Sequence, residues 1–253
     1  MINIKLTIEY DGTDFYGWQI QPKKRTVQGE IEKSLYELTG EKVRIIGAGR
    51  TDTGVHAINQ VANFYIDSDT HPEKIKKALN GILQKDIIIK SAEKVSEDFN
   101  SRFDAVTRTY KYVISKGRTA LIRRFCWEIF YELDSDLIKK SCESLVGEKD
   151  FNAFSKSDKD RKNSKCNIKK VEWIEKPDEY IFRIEANRFL HKMVRTIVGT
   201  LIDVGRKKIT PEEFFEILEY KDRRKAGLTA PAKGLFLESV SFQNSVEKEI
   251  LEK

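Results

Sequence analysis

Gly47-Ala48-Gly49-Arg50-Thr51-Asp52-Thr53-Gly54-Val55-His56 packs three glycines, an arginine and an aspartate into ten residues between two apolar segments. On one side lies Lys42-Val43-Arg44-Ile45-Ile46, and on the other residues 58 to 66 are rich in β-branched and aromatic side chains. Both flanks read as strands, so the decapeptide is a loop held between rigid elements, the kind of segment that often carries function. Its glycines permit tight turns, and Arg50 and Asp52 offer opposite charges two residues apart. Two readings of Asp52 stand side by side: a hairpin carboxylate that caps its own backbone, and a nucleophile. Phosphate cradles are excluded, because a dinucleotide fingerprint needs a third glycine where Asp52 stands and a P-loop needs Gly-Lys-Ser/Thr.

Working outward, residues 2 to 10 put Ile2, Ile4, Leu6, Ile8 and Tyr10 on one face and Asn3, Lys5, Thr7 and Glu9 on the other, the period of a half-buried strand. Asp11-Gly12-Thr13-Asp14 is turn chemistry, and Trp18 reads as a core anchor. Val27, Ile31, Leu35 and Leu38 recur at helical spacing until Gly40, and Pro72 opens a second helix carrying Ile75, Leu79, Ile82 and Leu83 before a strand begins at Ile87. Residues 1–100 thus read βαββαβ. Beyond a linker over residues 97 to 104, residues 105–245 repeat the pattern. Strands are expected at 108–115 and 125–131, then a helix from near Asp134 to Gly147 and strands at 170–175 and 180–187. An amphipathic helix through Leu190, Met193, Val194, Ile197, Val198, Leu201 and Ile202 ends at Gly205. The capping box Thr210-Pro211-Glu212-Glu213 and a strand at 235–242 follow. The expected class is α+β, two ferredoxin-like halves whose sheets meet edge to edge around a cleft. Residues 246 to 253 read as a frayed tail or short helix.

With 253 residues the chain is long enough to bury about 70 to 75% of its unfolded surface without a staple. Cys126, Cys142 and Cys166 are odd in number and lack Cys-x-x-Cys spacing, which argues for free thiols in a reducing compartment. His56, His71 and His191 are scattered, so no metal site is expected. No run resembles a signal peptide or a membrane span, and a cytoplasmic location is expected. A net charge of +6 and a pI near 9.0 favour a polyanionic partner without identifying one.

The run Gly49-Arg50-Thr51-Asp52-Thr53-Gly54-Val55-His56 resembles the active-site motif of the TruA family of tRNA pseudouridine synthases. So do Tyr10-Asp11-Gly12-Thr13 with Gly17-Trp18-Gln19, Arg108-Thr109-Tyr110-Lys111-Tyr112, Phe189-Leu190-His191-Lys192-Met193-Val194-Arg195, and Lys233-Gly234-Leu235, which together span nearly the whole chain. The resemblance implies a continuous antiparallel or mixed sheet with a central basic cleft, no cofactor, and a homodimer that holds tRNA. It implies conversion of uridine to pseudouridine at positions 38, 39 and 40 of the anticodon stem-loop, with Asp52 as catalytic nucleophile. On the same footing Tyr110 stacks on the target uracil, Arg195 pairs with the aspartate, Arg50 lies near the extruded nucleotide, and Leu235 packs beside the base. By pattern alone Tyr110 is a core tyrosine, and Arg195 is an arginine on an apolar helix face that needs a partner. Asn100 and Cys166 fall where the family more often carries other residues, which bears on the grip on tRNA rather than on the reaction. Seven basic residues between Lys156 and Lys170 read equally as a solvated loop or an RNA contact. Two rival functions are a non-catalytic RNA-binding protein and a glycosylase that releases the base.

Overall fold

Alternation decides the first element: Ile4, Leu6, Ile8 and Tyr10 are buried on one side of the strand β1 (Ile2–Tyr10). The computed structural model describes residues 1–67, 70–156 and 163–243. The elements that follow β1 are α1 (Val27–Thr39), β2 (Ile46–Gly47), β3 (His56–Ile66), α2 (Pro72–Ile82), β4 (Ile87–Val95), β5 (Ala105–Lys116), β6 (Trp127–Ile129), α3 (Ser135–Glu143), β7 (Gly147–Asp150), β8 (Lys165–Glu175), β9 (Glu179–Ala186), α4 (Met193–Gly205), α5 (Pro211–Tyr220) and β10 (Leu235–Phe242). The class is α+β. Two compact units divide the chain, Met1–Thr107 with the residues from Leu237 onward, and Arg108–Phe236.

In the first unit the strand order is β4-β1-β3-β10. β1 pairs antiparallel with β3 (Ile4↔Phe64, Leu6↔Ala62) and with β4 (Leu6↔Ala92), and β2 adds to β3 through Ile46↔Asn63. Its helices start where local chemistry lets them: Thr26 accepts from Gly29 N at the head of α1, and Pro72 occupies the first turn of α2 behind a His71 cap. Gly40 ends α1 in the left-handed region. Ile31, Leu35, Ile75 and Leu79 are buried with the apolar face of β1, each contributing about 1.5–3 kcal/mol of hydrophobic stabilisation. On the opposite face a buried amide ladder holds the segment after β4. Asn3 Nδ2 donates to Ser96 O (2.9 Å) and Phe99 O (2.8 Å), Asn63 Nδ2 donates to Asn3 Oδ1 (3.0 Å), and Ser101 N donates to Asn63 Oδ1 (2.9 Å).

In the second unit the order is β5-β9-β8-β7, antiparallel throughout, with the short β6 parallel to β5. Tyr112, Phe182 and Ile184 are buried there with Ile138, Ile197, Leu201 and Phe214. The capping box at Thr210 forms as expected, with reciprocal bonds between Thr210 and Glu213.

Several boundaries differ from the sequence reading. Residues 42 to 45 form no ladder although Val43 and Ile45 are buried. Side chains of α1 take the backbone bonds instead, Ile45 N donating to Glu32 Oε1 (3.0 Å) and Gln28 Nε2 to Ile45 O (3.4 Å). The strand expected at 125–131 shrinks to β6. Gly147, expected to stop a helix, opens β7 with φ +99°, and α3 ends at Glu143. The expected strand at 170–175 begins earlier, at Lys165, because β7 pairs with it. Residues 246 to 253 and, within the basic run, Asp158, Asp160, Arg161 and Lys162 lie outside the described residues. Among the described residues the three cysteines are buried and unpaired by disulfides, and no helix is long and apolar enough to cross a membrane.

Two glycine substitutions are expected to act with opposite sign. A Cβ on Gly199, in α4, would lie 1.8 Å from the backbone oxygen of Leu228, whereas at Gly81, in α2, it would meet nothing within 4 Å. Gly199→Ala should lose at least about 1–3 kcal/mol, as overpacked cores do, and Gly81→Ala should gain about 0.4–1 kcal/mol. Urea unfolding of both variants against wild type measures the two signs.

Candidate active site

The loop between β2 and β3 is fixed at its backbone and reaches solvent at the side chains of Arg50, Asp52 and Thr53. Gly49 O accepts from Gln60 Nε2 (3.0 Å), and Gln60 itself is fully buried in β3. Thr51 O accepts from Trp18 N (3.1 Å), and Thr51 Oγ1 is 2.7 Å from the hydroxyl of Tyr10. Arg50, between these two anchors, is exposed, and Asp52, just after them, is half-buried. Asp52-Thr53-Gly54-Val55 then closes a turn with Val55 N donating to Asp52 O (3.1 Å). Gly54 takes φ +75° at the third position while Thr53 stays negative, the type II pattern that favours glycine there.

The segment after β1 wraps this loop. Gly54 N donates to Phe15 O (3.3 Å), and Gly12 N donates to Nδ1 of the buried His56 (2.9 Å). Asp11 Oδ1 is 3.1 Å from the same nitrogen and accepts from Thr13 N (3.0 Å) and Thr13 Oγ1 (2.5 Å). Gly17 has φ +84°, and a Cβ there would meet Thr51 O at 2.6 Å, so only glycine lets the two backbones run this close. Trp18 is buried, as a core anchor should be, with its ring centroid 6.2 Å from that of Tyr10. The result is a carboxylate at the corner of a tight turn with a guanidinium two residues before it.

Tyr110, Arg195 and Leu235 belong to the second unit. Tyr110 is buried on β5 opposite Ile184 and meets Phe189 edge-on at 5.1 Å. Arg195, in the first turn of α4, is half-buried; its Nε donates to Ala230 O (2.7 Å), and its own carbonyl accepts from Ala230 N (3.0 Å). Next along, Pro231 O accepts from the hydroxyl of Tyr112 (2.7 Å), whose ionisation burial pushes far up. Gly234 lies against the Tyr112 ring, which places the buried Leu235 beside it. A single strap, residues 227 to 234, therefore ties the Arg195 helix to the tyrosine strand. Gly227 N adds a bond to Thr200 Oγ1 (3.0 Å).

Two features of this unit escape sequence reasoning. Lys192, the N-cap of α4, holds φ +63° without being glycine, a conformation that costs on the order of 1 kcal/mol, and no residue type announces it. Arg108 is half-buried with Nη1 on Asn187 O (2.9 Å), and desolvation lowers its basicity. In the first unit Tyr10, Thr51 and Gln60 join the site through the bonds that hold its loop. Tyr10 and Thr51 lie within the motifs quoted above, and a further signal is a tyrosine closing an apolar strand face where phenylalanine would fit. Among the described residues no cluster of three or more His, Cys, Asp or Glu has the geometry to hold a metal.

A family model described as tRNA pseudouridine synthase matches residues 6–104 and 142–243. The protein named tRNA pseudouridine synthase A of Caldicellulosiruptor bescii is 45% identical over 244 residues, covering 96% of this chain and 100% of that one. Proteins of the same name from Thermoanaerobacter sp. and Brachyspira hyodysenteriae are 43% and 45% identical, over 96% of this chain and 100% of each relative. A solved H/ACA RNP bound to a substrate RNA containing 2′-deoxyuridine aligns with a TM-score of 0.35 and 10% identity over 79% of this chain and 53% of that one, too distant to carry an argument. Matched through both of its units and along the full length of close relatives, the chain belongs to the tRNA pseudouridine synthase family, a family of isomerases.

Proposed function

We propose that this enzyme converts uridine to pseudouridine at positions 38, 39 and 40 of the tRNA anticodon stem-loop, with Asp52 as nucleophile. One observation carries the reading: the backbone on both sides of Arg50 is hydrogen-bonded to β3 and to the segment after β1, while the Arg50 side chain is exposed and Asp52 half-buried. A nucleophile needs that fixity, because reacting atoms must be held close to attack geometry. The target uracil first leaves its stack, at a cost of a few kcal/mol. The Asp52 carboxylate then forms a transient covalent adduct, either by adding across the C5–C6 double bond at C6 while the glycosidic bond is intact, or by displacing uracil from C1′ of the ribose in the same step that breaks the bond from N1. Once the bond between N1 and C1′ is broken, the uracil rotates, and a new bond joins C5 to C1′. The adduct bond to Asp52 breaks, and the C5 hydrogen leaves as a proton. Tyr110 is assigned to stack on the base and accept that proton, Arg195 to pair with the Asp52 carboxylate at the substrate site, Arg50 to lie beside the extruded nucleotide, and Leu235 to pack beside the base. The working form in this reading is a cytoplasmic homodimer, which sedimentation velocity of the free protein tests directly.

Tritium release from tRNA labelled at uridine C5 tests the reaction and the residue together. Wild type should release tritium, and Asp52→Asn should release none while binding tRNA normally. Release by neither protein, with tight binding in both, would favour a non-catalytic RNA-binding protein; free uracil among the products would favour a glycosylase.

Two further outcomes are expected. Tyr110→Phe keeps the aromatic face, so tRNA affinity should stay within about twofold while turnover falls by about 10²-fold or more, the scale of a lost acid–base group. The logarithm of tRNA affinity should fall linearly with the logarithm of salt concentration, with a slope of about −0.7 to −0.9 per phosphate neutralised, and a flat titration would exclude phosphate contacts as the source of binding.

A further inference from the structure

Tyr10 closes the apolar face of β1, and we infer that its hydroxyl is a positioning group for the reaction: through Thr51 it fixes the backbone from which Asp52 projects. The inference rests on Asp52 being the nucleophile, as proposed above. Ile4, Leu6 and Ile8 precede Tyr10 on the same face and are fully buried, and Tyr10 is 3% exposed. A phenylalanine would complete that face equally well. The phenol instead brings a hydroxyl into the interior, where it needs a partner, and it lies 2.7 Å from Thr51 Oγ1.

Thr51 immediately precedes Asp52 and is 7% exposed, so its hydroxyl is turned to the protein rather than to a nucleic acid. A threonine side chain has few χ1 wells, and a hydrogen bond from a strand residue selects one of them. The tyrosine end of that bond is itself held, by its place at the end of β1 and by the Trp18 ring 6.2 Å away. The carbonyl of Thr51 is held separately by Trp18 N at 3.1 Å. Removing the hydroxyl pair leaves the bond from Trp18 N to the Thr51 carbonyl in place and releases the setting of the residue before the nucleophile. Misplacing a reacting group by about 1 Å slows chemistry by roughly 10²-fold, so the loss should fall on the bond-making step and leave tRNA affinity alone.

Single-turnover tritium release and tRNA affinity are measured for Tyr10→Phe, Thr51→Val, Thr51→Ser and the double variant Tyr10→Phe/Thr51→Val, with Asp52→Asn alongside and rates normalised to folded protein. Tyr10→Phe and Thr51→Val should each slow release by about 10- to 100-fold with tRNA affinity within about twofold. The double variant should be no slower than the slower single variant, since both remove one bond, and Thr51→Ser, which keeps the hydroxyl, should stay within about threefold of wild type. A wild-type rate in Tyr10→Phe, losses that multiply in the double variant, or a loss of affinity in place of rate each overturns the inference. A silent Asp52→Asn beside a fully active Tyr10→Phe overturns this inference alone, whereas continued release by Asp52→Asn overturns it together with the nucleophile assignment.

Discussion

The hydrogen bonds that hold Gly49 and Thr51 are the constraint on which the candidate chemistry depends. Gln60 reaches back from β3 to one residue, and Tyr10 and Trp18 reach across from β1 and the segment after it to the other. Arg50 stands between two anchored neighbours, and Asp52 starts the turn that Gly54 completes. A glycine-rich loop left to itself would sample many conformations, because glycine constrains φ weakly. Here Gly54 completes a turn, Gly17 of the segment after β1 lets that segment approach, and bonds to β1, β3 and that segment remove much of the loop's entropy.

The second unit solves a related problem with a different device. Arg195 begins a helix whose remaining residues are almost all buried, and a guanidinium there needs hydrogen-bond partners. The strap of residues 227 to 234 supplies some of them. It exchanges bonds with Arg195 through Ala230, bonds Thr200 through Gly227, and takes the Tyr112 hydroxyl on Pro231. The close passage of Leu228 over Gly199 is the packing condition for that strap. A similar economy holds the segment after β4, where Asn3 and Asn63 spend their buried amides on the backbone of residues 96 to 101. In both places these bonds specify one position for a chain segment that lies outside the α-helices and strands.

Much of this was legible in the residues. Thr210 with Glu213, Pro72 at a first turn and Gly40 past a last one gave helix ends because caps are local, decided within a few residues of chain. The strand β1 was legible for the same reason. Residues 42 to 45 were not, since buried Val43 and Ile45 alternate as a strand does while the backbone of Ile45 is bonded to Glu32 and Gln28 of a helix. Nor was β7, four residues long, whose pairing partner begins some fifteen residues later in the chain. The left-handed Lys192 has no residue signal at all.

By itself, then, the sequence determined the class of fold, the helix caps, the loop that carries Asp52 and Arg50, and, through motifs spread along the chain, the family. Tertiary structure alone decided how that loop is held. The bond from Tyr10 to Thr51 joins residues 41 apart, that from Gln60 to Gly49 crosses from β3, and Arg195 meets Ala230 across 35 residues. Caps and periodicity are settled by neighbours in the chain, where propensity and pattern can be read. Bonds between distant residues exist only once strands have paired and helices have packed, and no local rule records which hydroxyl will face which.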